Sequence, residues 1–180
     1  MNIKFMTALK RGFTLIELLI VMAILGVLAV VVLVAINPAE QLRRARDSGR
    51  ISGTQQIGRA WSAYFTANGC LPGSNAGVPC PATAAWGTDL TTSEELQTIP
   101  AQVGTTTGTC TPGTAVNGWC VGTDDVENFV VYNQLESQQR ISSCGAAATT
   151  AFAVFSSFDA RGGVVESEPS EGVSLTYCGQ

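Results

Sequence analysis

Hydrophobicity along the chain changes twice, and each change marks a different kind of element. Residues 13–36 read FTLIELLIVMAILGVLAVVVLVAI, 24 positions with one charge, Glu17. A helix buried in a soluble core would show a polar stripe, and none is visible. As an α-helix the segment is about 36 Å long, enough to cross a hydrocarbon layer of about 30 Å. Asn37-Pro38-Ala39-Glu40 then reads as a helix restart, with Asn as cap, Pro at the first position and Glu three residues later. The other reading is one continuous helix kinked at Pro38. From 40 to 67 the spacing stays helical but the composition turns polar. An apolar stripe emerges only in the last third, where Ile57, Ala60, Trp61, Tyr64 and Phe65 fall at i, i+3, i+4, i+7 and i+8. That third is expected to pack on a head domain. Asn68-Gly69, with Pro72 close behind, ends the helix.

Beyond residue 70 the chain is rich in Gly, Thr, Ser and Ala, with short apolar runs. Residues 128–135 (NFVVYNQL) and 151–158 (AFAVFSSF) are the best strand candidates, 173–177 a third and 119–121 a weaker fourth. The pattern predicts an α+β chain: a long N-terminal helix, membrane-spanning in its first half, whose C-terminal third packs on a small antiparallel β-sheet head with disulfides. Its divisions are 1–12 as a leader, 13–36 as the membrane helix, 37–69 as its amphipathic continuation and 70–180 as the head.

Composition sharpens this division. Hydrophobic residues make up 46% and charged residues 13%, which is not the balance of a disordered chain. There is no histidine, which removes Ser-His-Asp and Cys-His catalysis, histidine metal sites and histidine pH switching. Residues 1–59 carry eight basic groups against three acids, a balance of +5, while residues 60–180 carry two against eleven, a balance of −9. An acidic head repels phosphate backbones, so no direct nucleic-acid site is expected there. The basic cluster Arg43, Arg44, Arg46 and Arg50 reads as a solvated or lipid-phosphate-contacting face, or as partners for acids of adjacent subunits.

All six cysteines, Cys70, Cys80, Cys110, Cys120, Cys144 and Cys178, lie in the acidic region. Without a C-x-x-C pair or histidine, disulfides in an oxidising compartment are favoured over a zinc site. Cys70 and Cys110 each open a C-x-P-G-[ST] pattern with another cysteine ten residues on. The favoured pairs are therefore 70–80, 110–120 and 144–178, one choice among fifteen connectivities. Asp124, Asp125 and Glu127 form a weak calcium candidate, for which an acidic turn before a strand is the favoured reading. No metal or other cofactor is expected, and no nucleophile–base constellation points to an enzyme.

One motif carries more than its composition. Lys10-Arg11-Gly12-Phe13-Thr14-Leu15-Ile16-Glu17-Leu18-Leu19 closely resembles the N-terminal signature of type IV prepilins and the related pseudopilins of type II secretion. The resemblance implies that a prepilin peptidase cuts between Gly12 and Phe13 and that Phe13 is then N-methylated. It also gives the one charge in the apolar segment a role. Glu17 becomes the fifth residue of the mature chain, where the family's glutamate is thought to meet the N-terminal amine of a neighbouring subunit. An isolated carboxylate in hydrocarbon is costly, whereas a paired one is much less so.

Gly26 also falls where the family commonly has glycine; where many type IV pilins have a proline, this chain has Val34. The helix exit Tyr64-x-x-x-Asn68-Gly69-x-x-Pro72 is similar to that of pseudopilins and several pilins. The implied function is a structural subunit of a type IV pilus or pseudopilus. It is a homo-oligomer in a helical filament, with an assembly platform and ATPase as partners and membrane lipid around it before assembly. Its N-terminus would be cytoplasmic and its head outside, as a single-pass membrane protein that later stands in a surface pilus or envelope pseudopilus. The roles open to it are adhesion, motility, DNA uptake and secretion. The alternative is a membrane-anchored extracytoplasmic binding or adhesion protein that does not polymerise.

Overall fold

A computed structural model describes residues 12–73, 85–101, 110, 114–124 and 127–179. The chain divides into two compact units, Met1–Ala39 and Glu40–Gln180. The first holds helix α1 (Leu15–Ile36), which has no buried residue. Asn37, with φ 41°, adopts the left-handed conformation that Asn tolerates better than most residues, and it closes α1 as its C-cap. Asn37 also immediately precedes Pro38, which begins helix α2 (Pro38–Asn68) where the sequence expects the restart.

The second unit is an α+β fold. Its sheet is an antiparallel meander in the order β1-β2-β3-β4-β5, formed by β1 (Thr114–Val116), β2 (Trp119–Thr123), β3 (Phe129–Gln134), β4 (Phe152–Ser156) and β5 (Arg161–Val165). Short helices α3 (Trp86–Thr92) and α4 (Gln138–Ser142) lie in the connections. The first hairpin turns at Asn117-Gly118, with φ 50° and 80°, the paired positive values that a two-residue turn needs to match strand twist.

Along β3 the side chains alternate between two covers, so the strand is buried on both faces. Phe129 and Val131 join the helix-side core with Ile57, Trp61 and Tyr64 of α2, Trp86 and Leu90 of α3, and Trp119 and Val121 of β2. The Trp61 ring stands 5.1 Å from that of Phe129 and 5.9 Å from that of Trp86. Val130 and Tyr132 face the other way, into a cluster with Cys120, Val154, Val165 and Tyr177. The stripe expected from the sequence is buried at Ile57, Ala60, Trp61 and Tyr64, with Phe65 partly buried against it. The buried face nevertheless begins much earlier, at Asp47, and continues through Arg50, Gly53 and Thr54. Two glycines make the close approach possible. A Cβ at Gly53 would run into the Trp119 ring and one at Gly58 into the Phe155 ring.

One strand expectation needs correcting. Residues 173–177 form no strand and pair with the sheet through an isolated Val165–Tyr177 bridge, and the fifth strand is β5. The physical reason is that polar side chains hold this segment in place of a ladder. The Asp159 carboxylate accepts from Leu175 N at 3.0 Å, Ser174 Oγ at 2.9 Å and Tyr177 Oη at 3.1 Å. Glu168 accepts from Tyr132 Oη at 2.9 Å, and Cys178 N donates to the Val164 carbonyl at 2.7 Å. The C-terminal segment is thus a strap over the second face of the sheet.

Candidate processing and assembly segment

Residues 12–17 combine an open backbone with a tightly satisfied helix start. Gly12 has no neighbouring atoms that a Cβ would meet, and Phe13 is 73% exposed. Thr14 caps α1: its Oγ1 accepts from Glu17 N at 3.3 Å, while Glu17 Oε2 accepts from Thr14 N at 3.2 Å and from Thr14 Oγ1 at 3.1 Å. This reciprocal pair is a capping box, which satisfies helix donors that would otherwise be orphaned. In the single chain Glu17 therefore answers to its own helix. Behind it every large apolar side chain of α1 is open, from Leu15 at 83% to Val21 at 43%. Nothing lies within 4 Å of where a Cβ at Gly26 would stand. Of the helices among the described residues, α1 is the one long and apolar enough to cross a membrane.

The head holds its start of α2 by charge. Arg50 and Asp47 are both fully buried and bonded at 3.0 Å, and the other Arg50 nitrogen reaches Glu136. Asp47 also accepts from the backbone amides of Glu136 at 2.9 Å and Ser137 at 2.8 Å. Ser137 is in turn the N-cap of α4. Arg46 adds a 3.4 Å contact to Glu136. Buried charges persist when they are paired and their remaining sites are hydrogen-bonded, and this group meets both conditions. The arginines at 46 and 50 thus serve the head of their own chain, neither a free solvated face nor unpaired partners for a neighbour. Arg43 and Arg44 lie 3.7 and 3.8 Å from Glu40 across one helical turn. The sequence carried a signal for this network, since 47, 50, 54, 57 and 61 continue the helical period of the apolar stripe with polar residues.

Disulfides fasten other parts of the head. Disulfides join Cys110 to Cys120 and Cys144 to Cys178, with separations of 10 and 34 residues. Cys70 is also disulfide-bonded, and Cys80 lies outside the described residues. Beside the Cys178 end, the Arg161 guanidinium sits 3.9 Å above the Tyr177 ring. Burial, then the Asp159 carboxylate that accepts its hydrogen bond, pushes the Tyr177 hydroxyl up to about 12. For Asp159, burial alone would raise the carboxyl, but the bonds from Leu175, Ser174 and Tyr177 and the charge of Arg161 together hold it below its ordinary value. At the acidic turn, Asp124 Oδ1 accepts from the amides of Glu127 at 3.1 Å and Asn128 at 2.9 Å, and Oδ2 from Asn128 Nδ2 at 2.6 Å. Its carboxylate closes a turn before β3; Asp125 lies outside the described residues. No group of three metal-ligating side chains occurs among the described residues.

Comparison with known proteins bears on the first of these regions. Residues 8–33 match the family model of the prokaryotic N-terminal methylation motif. The chain is 42% identical over 78 residues to a type IV major pilin protein, PilE1, of Neisseria gonorrhoeae, an alignment covering 43% of this chain. The chain spans 36% of that relative's length. No solved structure matches it. The motif and the relative together support the type IV prepilin family.

Proposed function

We propose that the chain is a pilin-like structural subunit, anchored in a membrane by α1 until it assembles through that helix into a filament. The observation that carries this reading is a methylation motif lying on a helix whose large apolar side chains are all exposed among the described residues. Such a surface leaves water in lipid or against other protein surfaces, and a bundle of like helices is one of these. The peptidase would cut between Gly12 and Phe13, Phe13 would be methylated, and a platform and ATPase would drive extraction. The relative's name favours a surface pilus over a secretion pseudopilus. A non-enzymatic role follows from the same reading.

Glu17 is the proposed assembly residue, and its capping box gives the exchange a scale. A helix cap contributes about 0.5–2 kcal/mol. An amine–carboxylate pair in a low-dielectric interior attracts more strongly than that, so the Phe13 amine of an incoming subunit can draw Glu17 from Thr14. The experiment compares E17A and T14A for cleavage in the membrane and for fibres sheared from cells. T14A should retain fibres, while E17A should be cleaved but yield none. Equal fibre loss in the two variants would reduce Glu17 to a helix cap. Normal fibres from E17A would refute the pairing.

A further inference from the structure

One cationic group lies outside the buried network. Arg44 and Ser48 of α2 and Gln139, Arg140 and Ser143 of α4 line a cavity of about 230 Å³. Arg44 is 43% exposed, with its Nε 3.8 Å from Glu40. Arg140 forms no ion pair among the described residues. Glu40, the carboxylate beside Arg44, is also engaged by Arg43 at 3.7 Å and by the amide of Gln139 at 3.4 Å. Residues 40–50 and 136–143 together carry five arginines and three acids, a local balance of +2 in a chain of net charge −4. An anion repelled by the acidic remainder of the head would gather here. Two guanidinium groups from different helices, with hydroxyl and amide neighbours, form a donor set suited to phosphate oxygens.

We propose that this cavity binds a phosphate group, supplied by the headgroup of an anionic lipid. The lipid source rests on the membrane-anchored reading of α1 and on chain length. Arg44 follows Ile36, the last residue of α1, by eight positions. Those positions span at most about 29 Å even when extended, so connectivity keeps the cavity near any bilayer that holds α1. Headgroup binding would tether the head before extraction and release it when the subunit leaves the lipid.

The test reconstitutes the full chain into nanodiscs of phosphatidylcholine, alone or mixed with phosphatidylglycerol, and follows amide exchange over residues 137–144. Wild type is compared with R44Q/R140Q, whose altered side chains are solvent-exposed. Phosphatidylglycerol should slow exchange several-fold in wild type and leave the double variant unchanged, and added salt should weaken the effect. A second arm adds inorganic phosphate to the chain in neutral detergent. A response there equal to that of the lipid, and lost in R44Q/R140Q, would keep the phosphate site but overturn the lipid source. No response to either, or a response that the double variant retains, overturns the site. A chain that fails to stay with the nanodisc overturns the anchoring reading instead, and the detergent arm still decides the cavity.

Discussion

Replacing Arg50 with Met removes the cation from a fully buried site while keeping much of its apolar stem. Arg50 and Asp47 are each 0% exposed at the side chain and Glu136 is 16% exposed. Removing one partner of a buried ion pair costs about 3–5 kcal/mol, because the other charge stays buried. Here Asp47 keeps two backbone amides at 2.9 and 2.8 Å, and Glu136 keeps Arg46 at 3.4 Å. Those remaining contacts place R50M at the lower end, about 3 kcal/mol. For a unit of this size that is a fall in Tm of about 6–12 °C.

The assay is built into the protein. The three tryptophans, Trp61, Trp86 and Trp119, are 1%, 2% and 0% exposed, all in the head. Fluorescence of the full chain in detergent therefore reports head unfolding without interference from α1. The double variant D47N/R50M should regain part of the loss, with a coupling of about 1–3 kcal/mol. An R50M change below about 0.5 kcal/mol would refute the claim that this network fastens α2 to the β3–α4 connection.

Other consequences follow from the second face of the sheet. On the loop-entropy relation, removing Cys144–Cys178 should cost about 4 kcal/mol and removing Cys110–Cys120 about 3. Denaturant unfolding of C144S/C178S and C110S/C120S checks the order, and the reverse order would contradict it. Asp159, held below its ordinary 3.8, contributes stability that is full above that pH and lost as acid passes through its lower folded value. The Tm gap between wild type and D159N should therefore close in acid, and a gap unchanged down to pH about 2 would show that the ionised form is not what matters. At the other extreme Tyr177, raised from 10.0 to about 12, contributes stability below pH 10 that is lost as pH rises through 12. Y177F should abolish that alkaline loss.

Sequence reading succeeded where burial is announced by apolar residues and faltered where it is not. The stripe Ile57, Ala60, Trp61 and Tyr64 and the strands around Val130 and Val154 are dense in large or β-branched groups, so their elements were legible. The lower part of the same helix face is Asp47, Arg50, Gly53 and Thr54, residues that register as surface in any hydropathy count. Their burial depends on Glu136, 86 positions away from Arg50, and on two aromatic rings that need glycine opposite them. Likewise β5 contains Gly162 and Gly163, poor strand residues by propensity. A Cβ at Gly163 would strike the Tyr177 ring, so the strand carries glycine where the strap crosses it. Residues 119–121 were expected as a strand and lie in β2, but its partner β1 was missed although Asn117-Gly118 is a strong local turn signal. The methylation motif over residues 8–33 was legible for the opposite reason: it is a contiguous local pattern that needs no long-range contact.

The central claim is that α1 is the assembly helix of a processed subunit, and its most direct test is the N-terminus of the protein recovered from cells. Mass spectrometry of the N-terminal peptide from membrane and sheared surface fractions should find a chain beginning at Phe13 and bearing one added methyl group. A chain in both fractions that still begins at Met1, or at any residue other than 13, would contradict the account.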